Sequence, residues 1–337
     1  MMNDRSMSVH VLAPGRVNLI GDHTDYTGGL VLPMAIDRYT EIRGNRTGDR
    51  VQLTSADEHE PVDLPLIIER PQDAEPAWGK YVAGVVGEMH SPRGFHGHIT
   101  TNIPIGAGLS SSAALEVAVA LALGFTGSPL ELAQLCQRAE NRASGVPSGI
   151  MDQLAIAAAV AGHALLIDCN ELTVKPVAIP RSVEIVVQFI EHRTLVGSPY
   201  ADRVAECAAA ERLIGPLCQT TTAKAKSIAD PVIRARAMHV TSENRRVADF
   251  ADAIVDGDLR EAGRLMVQSH ASLRDQYKTS TRTMDAAVAG ACATPGVFGA
   301  RMTGGGFGGC LVALAEPGAL LTGWVVRAVG GAVVAAA

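Results

Sequence analysis

The chain has 337 residues, 47% of them hydrophobic and 19% charged, with 35 acidic against 29 basic side chains and a formal net charge of −6. That composition predicts a soluble globular protein of two domains or one large one, and the absence of long basic runs excludes an electrostatic footprint for nucleic acid. Six cysteines (Cys136, Cys169, Cys207, Cys218, Cys292 and Cys310) form no CxxC pair and no ligand-like spacing with histidine, which predicts reduced thiols in a cytoplasmic protein.

The first ten residues carry Asp4, Arg5 and His10 and no apolar core, so no secretory signal is expected. Residues 9–12 read as a strand leading into Pro14-Gly15. The segment that follows, GRVNLIGDHTDYTGGLVLPMAI at 15–36, sets Asp22, His23 and Asp25 in a short turn between an apolar run and Gly28-Gly29. Carboxylates accept two or more O–H donors each, so two of them beside an imidazole suit a ligand with several adjacent hydroxyls, a sugar. The same residues are open to two plainer readings, a turn in which the aspartates cap backbone N–H groups and a metal site. Residues 30–32 resume extended structure.

Helical spacing at 78–89, with Trp78 and Tyr81 near its start, predicts a helix. A strand at 98–102 feeds IPIGAGLSSSAALE at 103–116, and helix formers continue from 113 to 123. This is neither a Walker A loop nor a dinucleotide fingerprint. Gly106 and Gly108 allow close backbone approach to an anion, Ser110, Ser111 and Ser112 add hydroxyls, and a helix N-terminus points at the same spot, which is the physics of a triphosphate site. A turn with a cap has the same pattern.

A second helix is expected at 130–143, started by Ser128-Pro129 and stopped near Gly145-Val146-Pro147. Beyond it, Asp152 stands in apolar company with Ile150 and Met151, as either the N-cap of an alanine-rich stretch or a catalytic acid. Strands follow at 164–168 and 183–189, and helical periodicity dominates 200–290, which predicts a second domain. The boundary is expected at 175–185, around Pro176 and Pro180, dividing the chain into 1–180 and 181–337. RMTGGGFGG at 301–309 packs five glycines around one Phe before a strand at 310–315. The apolar stretch 318–337 has the length of a membrane span, yet its glycines, Arg327 and paired valines predict two buried strands.

Segment 15–36 resembles the signature of the galactokinases, within the GHMP superfamily of small-molecule kinases, and 103–116 and 301–309 are similar to the superfamily's second and third motifs, in the right order from Pro14 to Leu314. The resemblance implies a mixed α/β GHMP-kinase fold, an N-terminal domain with a left-handed βαβ crossover and a C-terminal ferredoxin-like domain. It implies transfer of the γ-phosphoryl group of ATP to the C1 hydroxyl of a galactose-like sugar by a cytoplasmic monomer, with no nucleic acid or membrane as partner. Ser112 and Glu140 are implied as Mg²⁺ ligands, and Asp152 as the base or orienting charge for the sugar hydroxyl, paired with Arg16. Asp22, His23, Asp25, Gly149 and Tyr200 are implied at the sugar, Gly106, Gly108 and the three serines at the phosphates, and Trp78 at adenine. Arg203, in the segment with Tyr200, and the helix at 269–277 also match.

Two positions leave the family pattern. Ser148 stands where cysteine is usual, a tolerable change. Asp22 stands where the family has a glutamate that reaches the sugar's C6 hydroxyl, and the missing CH₂ withdraws the carboxylate by more than ~1 Å, enough to lengthen a direct hydrogen bond. A related sugar such as N-acetylgalactosamine, galacturonic acid or L-arabinose is therefore the alternative substrate, and a non-catalytic sugar and ATP sensor the alternative class.

Overall fold

The computed structural model describes residues 7–192 and 199–335, without the side chain of Met7; Asp4, Arg5 and Ser198 lie outside the described residues. The chain opens with β1 (Met7–Asn18), β2 (Leu30–Val31), β3 (Pro33–Arg46), β4 (Arg50–Ser55) and β5 (Val62–Pro65). There follow α1 (Gly79–Met89), β6 (Phe95–Thr101), α2 (Ser111–Ala122), α3 (Pro129–Ser144), α4 (Met151–Ala158), β7 (His163–Asp168) and β8 (Thr173–Ala178). The remainder is β9 (Glu184–Glu191), α5 (Tyr200–Ile214), α6 (Thr222–Ala225), α7 (Pro231–Asp256), α8 (Leu259–Ser272), α9 (Arg282–Ala293), β10 (Val297–Thr303), β11 (Gly309–Ala315), β12 (Trp324–Val326) and β13 (Val333–Ala335).

A six-stranded sheet runs β13-β1-β3-β6-β4-β5, and a short sheet β2-β7-β8 lies beside it. In β1 the alternation of Val9 and Val11 with less buried neighbours gives way to continuous burial from Ala13 onward. At that point the pairing with β3 shifts register between Pro14 and Gly15. A bulge bends a strand and re-aims the next side chains, and here the next residue is Arg16. α2 packs across β1 and β3, and α1 and α3 pack on α2 and on each other. α3 begins as expected, on a capping box in which Ser128 and Glu131 exchange side-chain and backbone bonds, and ends on Gly145 with φ 70°. β4 and β6 are joined through β5 and α1 and pair in parallel.

A second sheet runs β10-β11-β9-β12, antiparallel throughout. This is the strand order of a ferredoxin-like unit, whose pattern is βαββαβ. The helices α5 to α9 all lie between β9 and β10, and residues 316–323, with Pro317, Gly318 and Gly323, return to β12 without the second helix of that pattern. The chain passes from the short sheet into this one between Ala178 and Glu184.

Both C-terminal strands form, and among the described residues no helix is long and apolar enough to cross a membrane. Their burial differs from expectation. Val325, Val333 and Val334 are about half exposed. β12 and β13 are edge strands, each with one neighbour and an open side. β13 pairs with β1, so the end of the expected second segment, 181–337, sits in the first sheet.

Candidate active site

Asp152 lies in the first turn of α4, while Ile150, two residues earlier, holds the N-cap position. Its carboxylate receives a two-pronged bond from Arg16, with Nε and Nη2 each 2.7 Å from a carboxylate oxygen. The Arg16 side chain is buried, whereas that of Asp152 is 29% exposed. Arg16 Nη1 donates to the Gly108 carbonyl at 2.6 Å, which fastens the guanidinium to the glycine-serine loop. That planar fork fixes the carboxylate in both position and plane.

Ser110 stands at the N-cap of α2 but does not cap it. Its backbone is left-handed, φ 61°, and its hydroxyl donates to Asp152 Oδ2 at 2.5 Å. Backbone strain of this kind is held only where the surroundings enforce it, and here it turns a hydroxyl that could serve the helix toward an acid. Gly106 and Gly108 also have positive φ, 73° and 77°. No side chain caps the N-terminus of α2, and Ser111 and Ser112 stand in its first turn, where uncapped helix N–H groups suit an anion.

Next to this pair lies a nest of carboxylates. Ser112 Oγ is 3.3 Å from Glu140 Oε1, and Glu140 Oε2 accepts from Ser148 Oγ at 2.8 Å and from Gln153 Nε2 at 2.9 Å. Burial and the charge of Asp152 push the Glu140 carboxyl up, and burial with Glu140 opposite pushes Glu116 well up. Buried carboxyls held this close would be eased by a positive charge beside them. Two oxygens bound at right angles to one octahedral Mg²⁺ at ~2.1 Å stand about 3.0 Å apart, so the Ser112 and Glu140 oxygens fit that ion.

In the turn expected to hold the sugar, Asp25 Oδ2 lies only 2.0 Å from where a Cβ on Gly149 would stand, so no side chain is possible at 149 without moving Asp25. Both border a cavity of about 330 Å³ whose wall includes Tyr26, Gln137 and Ser148. Burial, with the charges of Asp152 and Asp22, pushes the Asp25 carboxyl up to about 7. His23, with φ 67°, is buried and lies 3.0 Å through Nδ1 from the Tyr26 hydroxyl. Its ring packs against Tyr200 and Tyr277, with centroids 5.5 and 4.8 Å away.

Asp22 behaves differently from its neighbours. It is 1% exposed, Oδ1 accepts from the Gly304 N–H at 2.9 Å, and Oδ2 lies 2.6 Å from Nη2 of the fully buried Arg301. Burial pushes its carboxyl up, and Arg301 opposes the shift. The third motif thereby closes on the first. It also touches the second, since a Cβ on Gly309 would come within 3.1 Å of the Ala107 carbonyl. Phe307 is half-buried with φ 58°.

The structure thus brings Arg16, Ser110 and Asp152 together, Ser112 with Glu140, and Asp25 with Gly149. Trp78 stands apart from these contacts: it precedes α1, donates its indole N–H to the Glu60 carbonyl at 3.0 Å and packs against the main core. Arg203 is buried and donates to the Tyr277 carbonyl at 3.0 Å. Sequence reasoning missed Glu116, Gln153 and Arg301. Glu116 ends the second motif, Arg301 opens the third and Gln153 follows Asp152, and a polar side chain among apolar neighbours, as in LEV and MDQL, was the available signal.

Residues 3–45 match the model of the galactokinase galactose-binding signature, 80–162 that of the GHMP kinases N terminal domain and 250–320 that of the GHMP kinases C terminal domain. A galactokinase from Roseiflexus sp. (strain RS-1) is 45% identical over 91% of this chain and 83% of its own length. Galactokinase from Homo sapiens is 41% identical over 92% of this chain and 84% of its own. The crystal structure of Lactococcus lactis galactokinase complexed with galactose superposes with a TM-score of 0.89 at 32% identity, covering 97% of this chain and 95% of that one.

Proposed function

The chain belongs to the galactokinase family of GHMP kinases, and on that premise we propose that it transfers the γ-phosphoryl group of ATP to the C1 hydroxyl of galactose, yielding galactose 1-phosphate. The observation that carries this reading is the two-pronged Arg16–Asp152 pair, held to the glycine-serine loop and set beside the Ser112–Glu140 oxygens. Phosphoryl transfer demands mainly positioning and charge stabilisation, and this arrangement supplies both.

Asp152 accepts the hydrogen bond of the attacking hydroxyl and takes its proton as the bond to the γ-phosphorus forms and the bond from that phosphorus to the bridging β-phosphate oxygen breaks, releasing ADP. Arg16 holds that carboxylate in plane and keeps positive charge near the phosphoryl oxygens. The amides of Gly106 and Gly108 and the α2 N-terminus with Ser111 receive the phosphates, while Ser110 gives its hydroxyl to Asp152. Ser112 and Glu140 would hold Mg²⁺, which when bound neutralises phosphate charge. Asp25, His23, Gly149 and Tyr200 shape the sugar pocket, Trp78 lies toward adenine, and the two domains divide near residue 180. The enzyme acts as a cytoplasmic monomer.

The engagement of both Asp22 oxygens by Gly304 and Arg301 favours a second reading of specificity alone: the six-position is read loosely, and sugars differing there are also substrates. The test is ATP-dependent phosphorylation of galactose, N-acetylgalactosamine, galacturonic acid and L-arabinose, with the product identified by ³¹P NMR. Galactose 1-phosphate is expected as the main product. Binding of galactose and ATP with no turnover would make the protein a sensor, and phosphate on another hydroxyl would overturn the assigned geometry.

A further inference from the structure

Asp152 and Gln153 are consecutive in the first turn of α4, and consecutive helical side chains point about 100° apart, so one turn can serve two sites. Asp152 goes to Arg16 and Ser110. Gln153, fully buried, goes to two carboxylates instead: its Nε2 lies 2.9 Å from Glu140 Oε2 and 3.1 Å from Glu116 Oε2. A primary amide nitrogen carries two N–H groups, one for each acid. Glu116 is itself fully buried and sits one turn beyond Ser112 on α2, on the same helix face. α2, α3 and α4 are therefore tied through one amide.

The consequence falls on Glu140. Its Oε2 takes two donors, Gln153 and Ser148, while among the described residues Oε1 has only the longer contact to Ser112. A carboxylate with one oxygen doubly held has its plane fixed and offers the other oxygen outward. We propose that Gln153, braced by Glu116 and assisted by Ser148, is the positioning residue that aims Glu140 Oε1 at a divalent cation beside Ser112. This rests on the reading of Glu140 as a cation ligand. Partners that orient a ligand in this way typically govern 10–100-fold in metal affinity.

The test uses Mn²⁺ as an electron-paramagnetic probe on the full-length protein with a non-hydrolysable ATP analogue, comparing wild type, Gln153→Met, Ser148→Ala and Glu140→Gln. Gln153→Met should weaken Mn²⁺ by roughly 10–100-fold, raise the Mg²⁺ concentration for half-maximal turnover in step, and leave the galactose KM within about twofold, a split that general loss of structure would not give. Ser148→Ala should weaken Mn²⁺ less, about threefold or more, and decides the matter if Gln153→Met does not fold. Unchanged Mn²⁺ affinity in both variants, with affinity lost in Glu140→Gln, would overturn the positioning role. Unchanged affinity in Glu140→Gln would remove the ligand assignment and this inference with it.

Discussion

Two arginine–aspartate pairs join the sequence motifs, Arg16 with Asp152 and Arg301 with Asp22. In the first, both prongs of the guanidinium are aligned at 2.7 Å, a serine hydroxyl shares the carboxylate, and the aspartate side chain keeps 29% of its surface open. In the second, both partners are sealed from solvent, one 2.6 Å contact joins them, and Arg301 Nε and Nη1 find no hydrogen-bond partner among the described residues. A sealed ion pair gains little net stability, because removing two charges from water costs about as much as their attraction returns. What it supplies is a fixed relation between segments far apart in sequence. The open pair can meet a substrate; the sealed pair holds the loops around it.

Breaking the sealed pair should have the largest effect on stability. Arg301→Met leaves the Asp22 carboxylate buried without its cation, and loss of one partner of a buried pair costs about 3–5 kcal/mol. Urea unfolding reads that loss, while turnover per folded molecule should fall far less than stability does. A hundredfold fall in kcat with stability changed by under ~1 kcal/mol would instead place Arg301 in the catalytic machinery.

Asp22→Glu sharpens the contrast from the sugar side. A carboxylate longer by one CH₂ extends beyond the clasp with Gly304 and Arg301, and if it then meets the sugar, one added hydrogen bond to a charged group, ~1.5–3 kcal/mol, should raise kcat/KM for galactose over L-arabinose or D-fucose roughly tenfold. If the ratio does not move, Asp22 serves only to clasp the third motif.

A smaller effect belongs to Asp25, whose carboxyl is pushed up to about 7 from an ordinary 3.8. Between those values the folded state binds more protons than the unfolded one, so this group's contribution to stability falls as pH rises from about 4 to about 7 and is level above. Asp25→Asn should therefore raise Tm by a few degrees at pH 8 and not at pH 4. In the wild type, kcat/KM for galactose should fall severalfold between pH 7.5 and 6, because a protonated Asp25 accepts fewer sugar hydroxyls. A flat profile would assign the sugar contact elsewhere.

Local order was legible in the sequence. The start at Ser128-Pro129, the stop at Gly145 and the paired valines at 325–326 and 333–334 are short-range signals, and each formed the element it predicts. The resemblance supplied Arg16 with Asp152 and Ser112 with Glu140. What neither disclosed is tertiary. The left-handed backbone that turns Ser110 away from its own helix, the clasp between Asp22 and Arg301, and the return of β13 to β1 all join residues far apart in the chain, which no periodicity encodes. The exposure of Val333 and Val334 escaped for the same reason, since an edge strand and a central one share one residue preference.

The account turns on Asp152 as the acid that receives the sugar hydroxyl, and Asp152→Asn tests it most directly. Steady-state phosphorylation of galactose, nucleotide affinity by calorimetry and Tm should be measured on one preparation of the variant and one of the wild type. The account predicts a kcat lower by roughly 10²–10⁴-fold, with ATP affinity within a few fold and Tm nearly unchanged. A kcat within about tenfold of wild type would contradict it.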